Sequence, residues 1–357
     1  MPFFNVWEAK RVKFIKITNE NFEDIFQVSA KFEQWEYVKH HVFDMVHNYV
    51  AVINEIYLPI PFLVYEEGRM IGFVQVNYYD KEPLFEIGKL IVHETEQGKG
   101  YGKRILSEVL QWIGVQYGSG TVMAKYEMGN CIADKLFSNA GFGKSVSEGK
   151  IVVTTEVKMI PADAMHSEFD KVPFSKISEF GNKVKSLGKC PKDIIGNKDG
   201  IHFRKISMDD CEKIIEMGLY ESQEDYVMPF VDSLAESYSD LFAEELTVTY
   251  ALCNGKEPVG LMELEYIKGD SFPNLKGEMV YELFRILVDK KYQKQGYGTK
   301  AVQLFLNYVK TKPLGDADIV VVSVVEGNNK ALKLYEKFGF EIIGRDKYEH
   351  IAMKRRI

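Results

Sequence analysis

The second half of the chain alternates short apolar runs with longer segments in which apolar residues recur every three to four positions. The short runs predict buried or half-buried strands, and the longer periodic segments predict helices. The turn signal Asn254-Gly255 joins two of these strands as a hairpin, and Asp209 or Asp210 is the expected cap of the first helix. The predicted strands are 201–206, 246–252, 258–266, 279–289 and 316–325, and the predicted helices are 209–220, 231–243, 296–310 and 328–338, followed by a terminal strand pair.

The first half repeats this order of elements, with its hairpin turn at Glu67-Gly68. Gln97-Gly98-Lys99-Gly100-Tyr101-Gly102 recurs 196 positions later as Gln293-Lys294-Gln295-Gly296-Tyr297-Gly298. Asn130-x-x-Ala133 recurs 198 positions later as Asn328-x-x-Ala331. Matches in the same order at a nearly constant offset indicate a duplicated domain.

The repeat predicts an N-terminal domain at 1–160 and a C-terminal domain at 201–357. The segment 161–200 is polar, contains three prolines and has little apolar periodicity outside a short helix near 174–186, so it is predicted to be a linker. Each domain is expected to be α+β, with a mixed, mostly antiparallel sheet flanked by helices.

Composition narrows the functional classes. The chain is 46% hydrophobic and 27% charged, with a net charge of −7 that argues against a nucleic-acid partner. No apolar run is long enough to span a membrane, and the N-terminus lacks a signal-peptide pattern. Four cysteines without CxxC spacing favour a cytoplasmic protein, and seven histidines without a ligand pattern predict no metal site. No pattern indicates an oligomeric state.

The glycine-rich segment at 293–298 lies between a predicted strand and a predicted helix. Unpaired amides at a helix start point outward, and the helix dipole favours negative charge, so the segment predicts an anion-binding loop. The pattern is neither GxxxxGK[ST] nor GxGxxG, which argues against nucleoside triphosphates and dinucleotides.

With these motifs, the chain resembles the GCN5-related N-acetyltransferase family. Both repeats match its acyl-CoA motif, Gln/Arg-x-x-Gly-x-Gly/Ala. The second repeat also matches the later helix pattern, with Asn328, Ala331, Tyr335, Gly339 and Phe340. The resemblance covers nearly the whole chain apart from the linker, and it implies transfer of an acetyl group from acetyl-CoA to a primary amine.

The resemblance assigns roles by position in the second repeat. Tyr335 would protonate the departing thiolate, and Glu282, eleven residues before Gln293, would be the general base. The CoA-binding residues implied there are Leu287, Val288, Gln293, Lys294, Gln295, Gly296, Tyr297, Gly298, Thr299 and Asn328. Those implied in the first repeat are Gln97, Gly98, Gly100, Gly102, Lys103 and Asn130.

The first repeat departs from the pattern at one position. Phe137 stands where the second repeat has Tyr335, and phenylalanine has no proton to give. The first repeat keeps Glu86, again eleven residues before its motif glutamine. We therefore expect the C-terminal domain to be the catalytic one and the N-terminal domain to be degenerate, either binding CoA without turnover or serving as a scaffold.

The acceptor is expected to be a small-molecule amine. The stretch 222–240 and Arg285 resemble the bacterial spermine/spermidine acetyltransferases. Residues 221–282 contain fourteen Asp or Glu and three Lys, a charge that would attract a polyamine. The alternatives are an antibiotic, peptide or protein amine as acceptor, or a non-catalytic CoA-binding sensor.

Overall fold

The computed structural model describes residues 11–18, 21–34, 37, 41–80, 84–165, 167–172, 177–241 and 246–357. The chain forms two compact units, the first made of Met1–Asp44 and Glu55–Gly181 and the second of Met45–Asn54 and Asn182–Ile357. Each unit contains one mixed sheet of eight strands flanked by helices, which confirms the predicted α+β class. Residues 1–10 of the predicted first domain and 173–176 of the predicted linker lie outside the described residues.

The sheet of the first unit has the strand order β6-β7-β5-β4-β3-β2-β1-β8. Its neighbouring strands are antiparallel except for the β4–β5 and β1–β8 pairs. The strands are β1 Val12–Lys16, β2 Leu58–Glu66, β3 Arg69–Tyr79, β4 Leu84–Val92, β5 Gly120–Glu127, β6 Gly143–Ser147, β7 Lys150–Val157 and β8 Glu168–Phe169. The helices up to residue 186 are α1 His41–Ile53, α2 Tyr101–Gln116, α3 Cys131–Asn139 and α4 Ile177–Ser186.

The sheet of the second unit has the order β15-β16-β14-β13-β12-β11-β10-β9, the same arrangement in the duplicated elements. Among the strand pairs that the structure describes in this sheet, only β13–β14 is parallel. The strands are β9 Ile194–Gly196, β10 Ile201–Arg204, β11 Leu246–Asn254, β12 Glu257–Lys268, β13 Met279–Val288, β14 Ile319–Val324, β15 Glu341–Arg345 and β16 Ile351–Arg356. The helices are α5 Met208–Ile215, α6 Glu221–Glu224, α7 Phe230–Asp240, α8 Tyr297–Val309 and α9 Asn329–Lys337.

The core of the second unit lies between the sheet and α8. Ala301, Val302, Phe305, Leu306 and Val309 follow the 3.6-residue period and are fully buried. They pack on apolar residues of the central strands in one cluster. This packing fixes the start of α8 at the end of β13, which is where the glycine-rich loop lies.

The segment predicted as a linker contributes an outer strand to each sheet. β8 pairs with β1, and its Phe169 ring stacks on Phe14 with the ring centroids 3.9 Å apart. β9 pairs with β10 of the second unit. These strands are two and three residues long, too short for apolar periodicity to reveal them.

The predicted cap of the first helix of the second unit is wrong by two or three positions. Ser207 is the N-cap of α5, and Asp210 is the third helical residue. The Asp210 Oδ2 atom accepts hydrogen bonds from the Ser207 main-chain nitrogen at 2.8 Å and from its hydroxyl at 2.6 Å. The pair forms a capping box, in which the N-cap and third residues satisfy each other. Within the described residues, no helix has the length and apolarity to cross a membrane.

Candidate active site

The parallel strands β13 and β14 separate immediately after they pair. Their register joins Tyr281 to Val320 and Glu282 to Val321. β13 then continues to Val288, and among the described residues no strand pairs with residues 283–288 on that side. The main-chain donors and acceptors of this free edge are available to an extended ligand, because a strand edge pairs readily with another extended chain.

A bulge shapes the same strand at the point where it separates from β14. Glu263 of β12 faces Arg285, but the next residue, Leu264, faces Leu283, so Phe284 is the extra residue. The corresponding shift in the first unit makes Gly88 the extra residue of β4. A bulge breaks the simple alternation of side chains. It therefore allows Glu282 and Arg285, three positions apart, to point to the same side of the sheet.

The glycine-rich loops adopt the conformation that an anion site requires. Gly296 is the N-cap of α8 with φ 83°, and Gly100 is the N-cap of α2 with φ 86°. This left-handed region favours glycine. A glycine N-cap also has no side chain to accept hydrogen bonds from the first helical N–H groups, so these donors remain available to a phosphate.

The motif glutamines hold the loops in place through their side chains. The Gln293 Nε2 atom donates to the Val288 carbonyl oxygen at 2.9 Å and to the Gln223 Oε1 atom at 2.8 Å. In the first unit, Gln97 donates to the Val92 carbonyl at 3.0 Å and to the Gln34 Oε1 atom at 2.7 Å. The sequence analysis did not predict that Gln223 and Gln34 support the loops, although Gln223 lies in the stretch 222–240 that it singled out for another reason.

The asparagines of the Asn-x-x-Ala motif, Asn130 and Asn328, are helix N-caps. The Asn328 Oδ1 atom accepts a hydrogen bond from the Ala331 main-chain nitrogen at 3.2 Å, and Asn130 does the same with Ala133 at 3.0 Å. The Asn-x-x-Ala spacing is the geometry of an N-cap bonded to the third helical residue. The cap uses the side-chain oxygen, so the amide nitrogen is the group that could donate to a ligand.

A cavity of about 1280 Å³ in the second unit brings three predicted site residues together: Glu282, Asn328 and Tyr335. Its acidic lining residues are Glu224, Asp225, Glu236, Asp240, Glu265, Asp270, Glu282 and Asp346, and its basic ones are Lys268, Arg285 and Lys347. Eight carboxylates against three Lys or Arg give the cavity a strongly negative potential.

The other predicted CoA-binding residues of the second unit do not line this cavity. They follow Glu282 in the sequence, at the end of β13 and in the loop before α8. Leu287 and Val288 form the end of the free edge of β13. Gln293 to Thr299 form the loop and the first turn of α8. Within the loop, Lys294 has φ 64° and its ammonium lies 5.7 Å from the centre of the Tyr220 ring. The Gln295 side chain donates to the Lys291 carbonyl at 3.3 Å, and the Tyr297 hydroxyl accepts from Asn254 at 3.0 Å.

Tyr335 is suited to act as a proton donor. Burial raises the pKa of its hydroxyl to about 12, so the group is protonated throughout the neutral range. Its ring packs edge-on against Phe340, with the centroids 5.6 Å apart. The helix α9 that carries Tyr335 begins at the Asn328 cap, which fixes both residues on the same wall of the cavity.

A cluster of acidic residues around Arg285 forms part of the cavity wall. The Arg285 Nη1 atom is 2.6 Å from Glu236 Oε2 and 2.7 Å from Glu263 Oε2. Glu263 is 1% exposed, and its Oε1 atom has no hydrogen-bond partner among the described residues. Burial raises the pKa of Glu263 to about 7; Arg285 opposes this change, whereas Glu236 and Asp240 add to it.

The raised pKa of Glu263 predicts that the difference in stability between wild type and a Glu263→Gln variant depends on pH. The folded state holds the Glu263 proton up to about pH 7, whereas an unfolded Glu loses it near pH 4.5. Wild-type stability therefore falls as the pH rises between these values, because the unfolded carboxyl ionises while the buried one still holds its proton. The substitution Glu263→Gln removes that cost, so its melting temperature should gain on wild type by about 3 °C or more between pH 5 and pH 8. Calorimetry at both pH values measures this gain. The exposed Glu257→Gln serves as control, and a difference independent of pH would contradict the expectation.

The first unit contains a cavity of about 650 Å³ along its own loop. The predicted residues that line it are Gln97, Gly98, Gly100, Gly102 and Asn130, whereas Lys103 is exposed and outside the lining. Phe137 also lines this cavity, and its ring stacks on Tyr126 with the centroids 5.8 Å apart. The Tyr126 hydroxyl donates to Asp134 Oδ1 at 2.7 Å.

Glu86, the counterpart of Glu282, is held by neighbours in the first unit. Its Oε2 atom accepts hydrogen bonds from the Tyr79 hydroxyl at 2.9 Å and from the Asn77 amide at 3.2 Å. Glu86 is not among the described residues that line the first cavity. The two units therefore retain the loop alike but differ at the carboxylate.

Two glycines outside the motifs support the free strand edges. A Cβ atom on Gly260 would lie 2.0 Å from the Leu287 carbonyl oxygen, and one on Gly72 would lie 2.1 Å from that of Ile91. Gly260 faces Val288 in the β12–β13 register. Only glycine permits this approach of the two strands. The sequence analysis missed both residues, since a glycine inside a strand pattern does not reveal what lies against it.

Comparison with known proteins shows which family the chain belongs to. The family model described as acetyltransferase (GNAT) family matches residues 19–142 and again residues 215–340. The two matches cover most of the chain. The chain belongs to the GNAT family. It is an acetyltransferase with two GNAT domains in tandem, as the resemblance predicted.

Individual relatives are distant. The chain is 26% identical over 159 residues to the probable spermine N(1)-acetyltransferase of Bacillus subtilis subsp. natto, across 40% of this chain and 90% of the relative. It is 25% identical to the spermine/spermidine N(1)-acetyltransferase of Bacillus subtilis strain 168, with the same coverage. Among solved structures, PaiA N-acetyltransferase from Thermoplasma acidophilum in complex with coenzyme A is 18% identical. That match covers 44% of this chain and 99% of PaiA, with a TM-score of 0.33.

Proposed function

We propose that the second GNAT unit transfers an acetyl group from acetyl-CoA to a primary amine of a small polycation, a polyamine being the best match. The observation that carries this proposal is the acidic cavity that contains both Glu282 and Tyr335. The spermine and spermidine acetyltransferases among the relatives support the same acceptor class.

The residues of the second unit would divide the chemistry. The open N–H groups of α8 at Gly296 would bind the pyrophosphate, and the free edge at Leu287 and Val288 would pair with the pantetheine amides. An alkyl amine is almost entirely protonated at neutral pH. Glu282 would take its proton, directly or through water, so that the nitrogen can form a bond to the acetyl carbon. As the bond from that carbon to sulfur breaks, Tyr335 would give its proton to the thiolate.

The first unit is proposed to bind CoA without turnover. Its loop, its Asn130 cap and a cavity lined by both support binding. Phe137 supplies no proton, and Glu86 is engaged by Asn77 and Tyr79. The proposed products of the chain are therefore made in the second unit alone.

The proposal is tested by incubating the full-length protein with acetyl-CoA and spermidine or spermine and following release of the CoA thiol. We expect release that depends on the polyamine, and mass spectrometry should find a polyamine heavier by one acetyl group. Aminoglycosides and lysine peptides are the comparison acceptors. Release with these and none across a panel of polyamines would assign the enzyme to another acceptor class.

A further inference from the structure

A lysine lies on the free edge of β4 in the first unit. β5 pairs with β4 at residues 84–86, and among the described residues no strand pairs with residues 87–92 on that side. All six residues of this segment line the first cavity, and Lys89 is one of them. The segment is the counterpart of the free edge of β13, so it is where an extended pantetheine chain can form main-chain hydrogen bonds.

The Lys89 side chain is held in the cavity by a carboxylate. Its ammonium forms an ion pair with Asp44 of α1, which also lines the cavity. The Lys89 side chain is 10% exposed and the Asp44 side chain 26%. Burial lowers the pKa of the Lys89 amine, although Asp44 opposes the change. The neutral amine, which is the nucleophilic form, is therefore more accessible in Lys89 than in a solvated lysine.

The other lysines that line the described part of the cavity are Lys31, Lys125 and Lys150, and all three are exposed. Lys150 forms an ion pair with Glu127 at 3.1 Å, with about half of each side chain in solvent. Amines in such surroundings are almost entirely protonated at neutral pH. Lys89 differs from these three lysines because it combines burial with a neighbouring proton acceptor.

The second unit has an arginine at the equivalent position. Gln75 faces Lys89 in the β3–β4 register, as Glu263 faces Arg285 in the β12–β13 register. Although burial opposes it, the neighbouring carboxylates of Glu263 and Glu236 raise the pKa of the Arg285 guanidinium. A guanidinium stays charged and is not a nucleophile at neutral pH. The duplicated position therefore carries a permanent cation in the second unit and an amine in the first.

The CoA site proposed for the first unit shares its cavity with Lys89. The loop glycines, Asn130 and Phe137 all line this cavity. Phe137 occupies the position of Tyr335, whose hydroxyl is proposed to meet the thioester sulfur in the second unit. A thiol has a pKa of about 8.5, so a CoA thiolate can leave slowly without an acid at position 137. The cavity thus combines an acyl-donor site, an amine and a base.

We propose that the first unit acetylates its own Lys89 from bound acetyl-CoA. This inference rests on the proposed binding of CoA by that unit. Asp44 takes one proton from the ammonium, the Nζ atom forms a bond to the acetyl carbon, and the bond from that carbon to sulfur breaks. The nitrogen gives a second proton to water, and the thiolate takes up the proton held by Asp44. The reaction consumes the lysine, so it occurs once in each chain, and it removes the positive charge that pairs with Asp44.

The test incubates the full-length protein with acetyl-CoA that carries a deuterated acetyl group, without any acceptor amine. Peptide mass spectrometry should locate the label at Lys89 and find close to one acetyl group per chain at that position. Excess CoA should suppress this labelling. Lys31, Lys125 and Lys150 are the internal controls for unassisted chemical acetylation. Labelling of Lys89 no faster than labelling of these exposed lysines overturns the inference.

Two further measurements show whether the first unit modifies itself. The rate of labelling should not depend on protein concentration, and Tyr335→Phe, which disables the second unit, should label Lys89 at the wild-type rate. A rate that rises with protein concentration, or loss of the label in Tyr335→Phe, would assign the transfer to another site and overturn the inference.

Variants of the ion pair test the proposed step. Lys89→Arg copies the second unit and keeps a cation beside Asp44, and it should carry no acetyl group at position 89. Asp44→Asn keeps the shape of the side chain but is a much weaker base, so labelling of Lys89 should slow about 100-fold. Titration should still find two CoA molecules per chain in Asp44→Asn, which shows that its first unit is folded. Labelling at the wild-type rate in this variant would overturn the role of Asp44.

Self-acetylation and the proposed function have separate readouts, because polyamine acetylation is measured from the mass of the acceptor. Label at Lys89 without an acetylated polyamine would contradict the proposed function of the second unit and support self-acetylation. An acetylated polyamine without label at Lys89 would support the proposed function and overturn self-acetylation.

Discussion

Replacing Tyr335 with Phe is expected to lower kcat for acetyl transfer about 100-fold while leaving the KM for acetyl-CoA close to wild type. The substitution removes only the hydroxyl, whose pKa of about 12 keeps it protonated at neutral pH. Loss of a positioned general acid typically costs a factor of 100 or more. Phenylalanine already occupies the equivalent position 137 of the first unit, so the ring itself is compatible with the fold.

The matched control for this prediction is Phe137→Tyr, which adds the hydroxyl to the first unit. It should not raise the rate in wild type or rescue it in Tyr335→Phe, because Glu86 remains engaged by Asn77 and Tyr79. Steady-state kinetics on the four combinations gives the answer. If Tyr335→Phe retained wild-type kcat at saturating substrates, the phenol would not be the proton donor. If Phe137→Tyr restored the rate, the first unit would be the second catalytic centre.

Gly260→Ala should destabilise the second unit by about 3 kcal/mol and raise the KM for acetyl-CoA. The new Cβ would lie 2.0 Å from the Leu287 carbonyl oxygen and 3.2 Å from the Val288 Cα, and both contacts are with main chain. Main-chain atoms cannot rotate away, so β12 and β13 must separate where they pair at Leu287 and Val288. Calorimetry should show a melting temperature lower by about 6 °C or more.

Gly298→Ala is the control for Gly260→Ala. Its Cβ would meet only the Leu334 side chain at 4.0 Å, an ordinary contact, and alanine favours the helix. We expect its stability and kinetics to stay near wild type. The opposite result would be a large loss of stability or activity in Gly298→Ala and a small one in Gly260→Ala. It would mean that Gly298 is needed for the ligand to approach the loop and that β12 and β13 can move apart at little cost.

The elements and the duplication could be predicted because they depend on local patterns. The 3.6-residue period of α8 and the short apolar runs of β11 and β12 can be recognised from consecutive residues. The turns at Glu67-Gly68 and Asn254-Gly255 were recognised from their glycines, and Gly68 and Gly255 have φ of 77° and 57°. The outer strands β8 and β9 could not be predicted, because their existence depends on a neighbouring strand and not on their own composition.

In the candidate site too, some features could be predicted from local sequence and others depended on the tertiary structure. The spacing of Gly296 after the motif glutamine and the Asn328-x-x-Ala331 cap are local features, and both loops were found from them. The role of Gln293 as a bridge to Gln223 required the tertiary structure, since the two side chains are seventy positions apart. The closeness of Glu265 to Glu282 likewise depends on strand register, which one residue of bulge changes.

The sequence by itself determined that this protein contains two copies of one acetyltransferase domain and that Phe137 stands in for Tyr335 in the first. Tertiary structure alone decided which carboxylates face each other, which glycines touch a neighbouring strand and that residues 45–54 belong to the second unit. The physical reason is the distance along the sequence between the residues that interact. Helix periods, turns and caps involve residues within a few positions of each other, whereas charge pairing and close packing across a sheet join residues whose separation only the folded chain specifies.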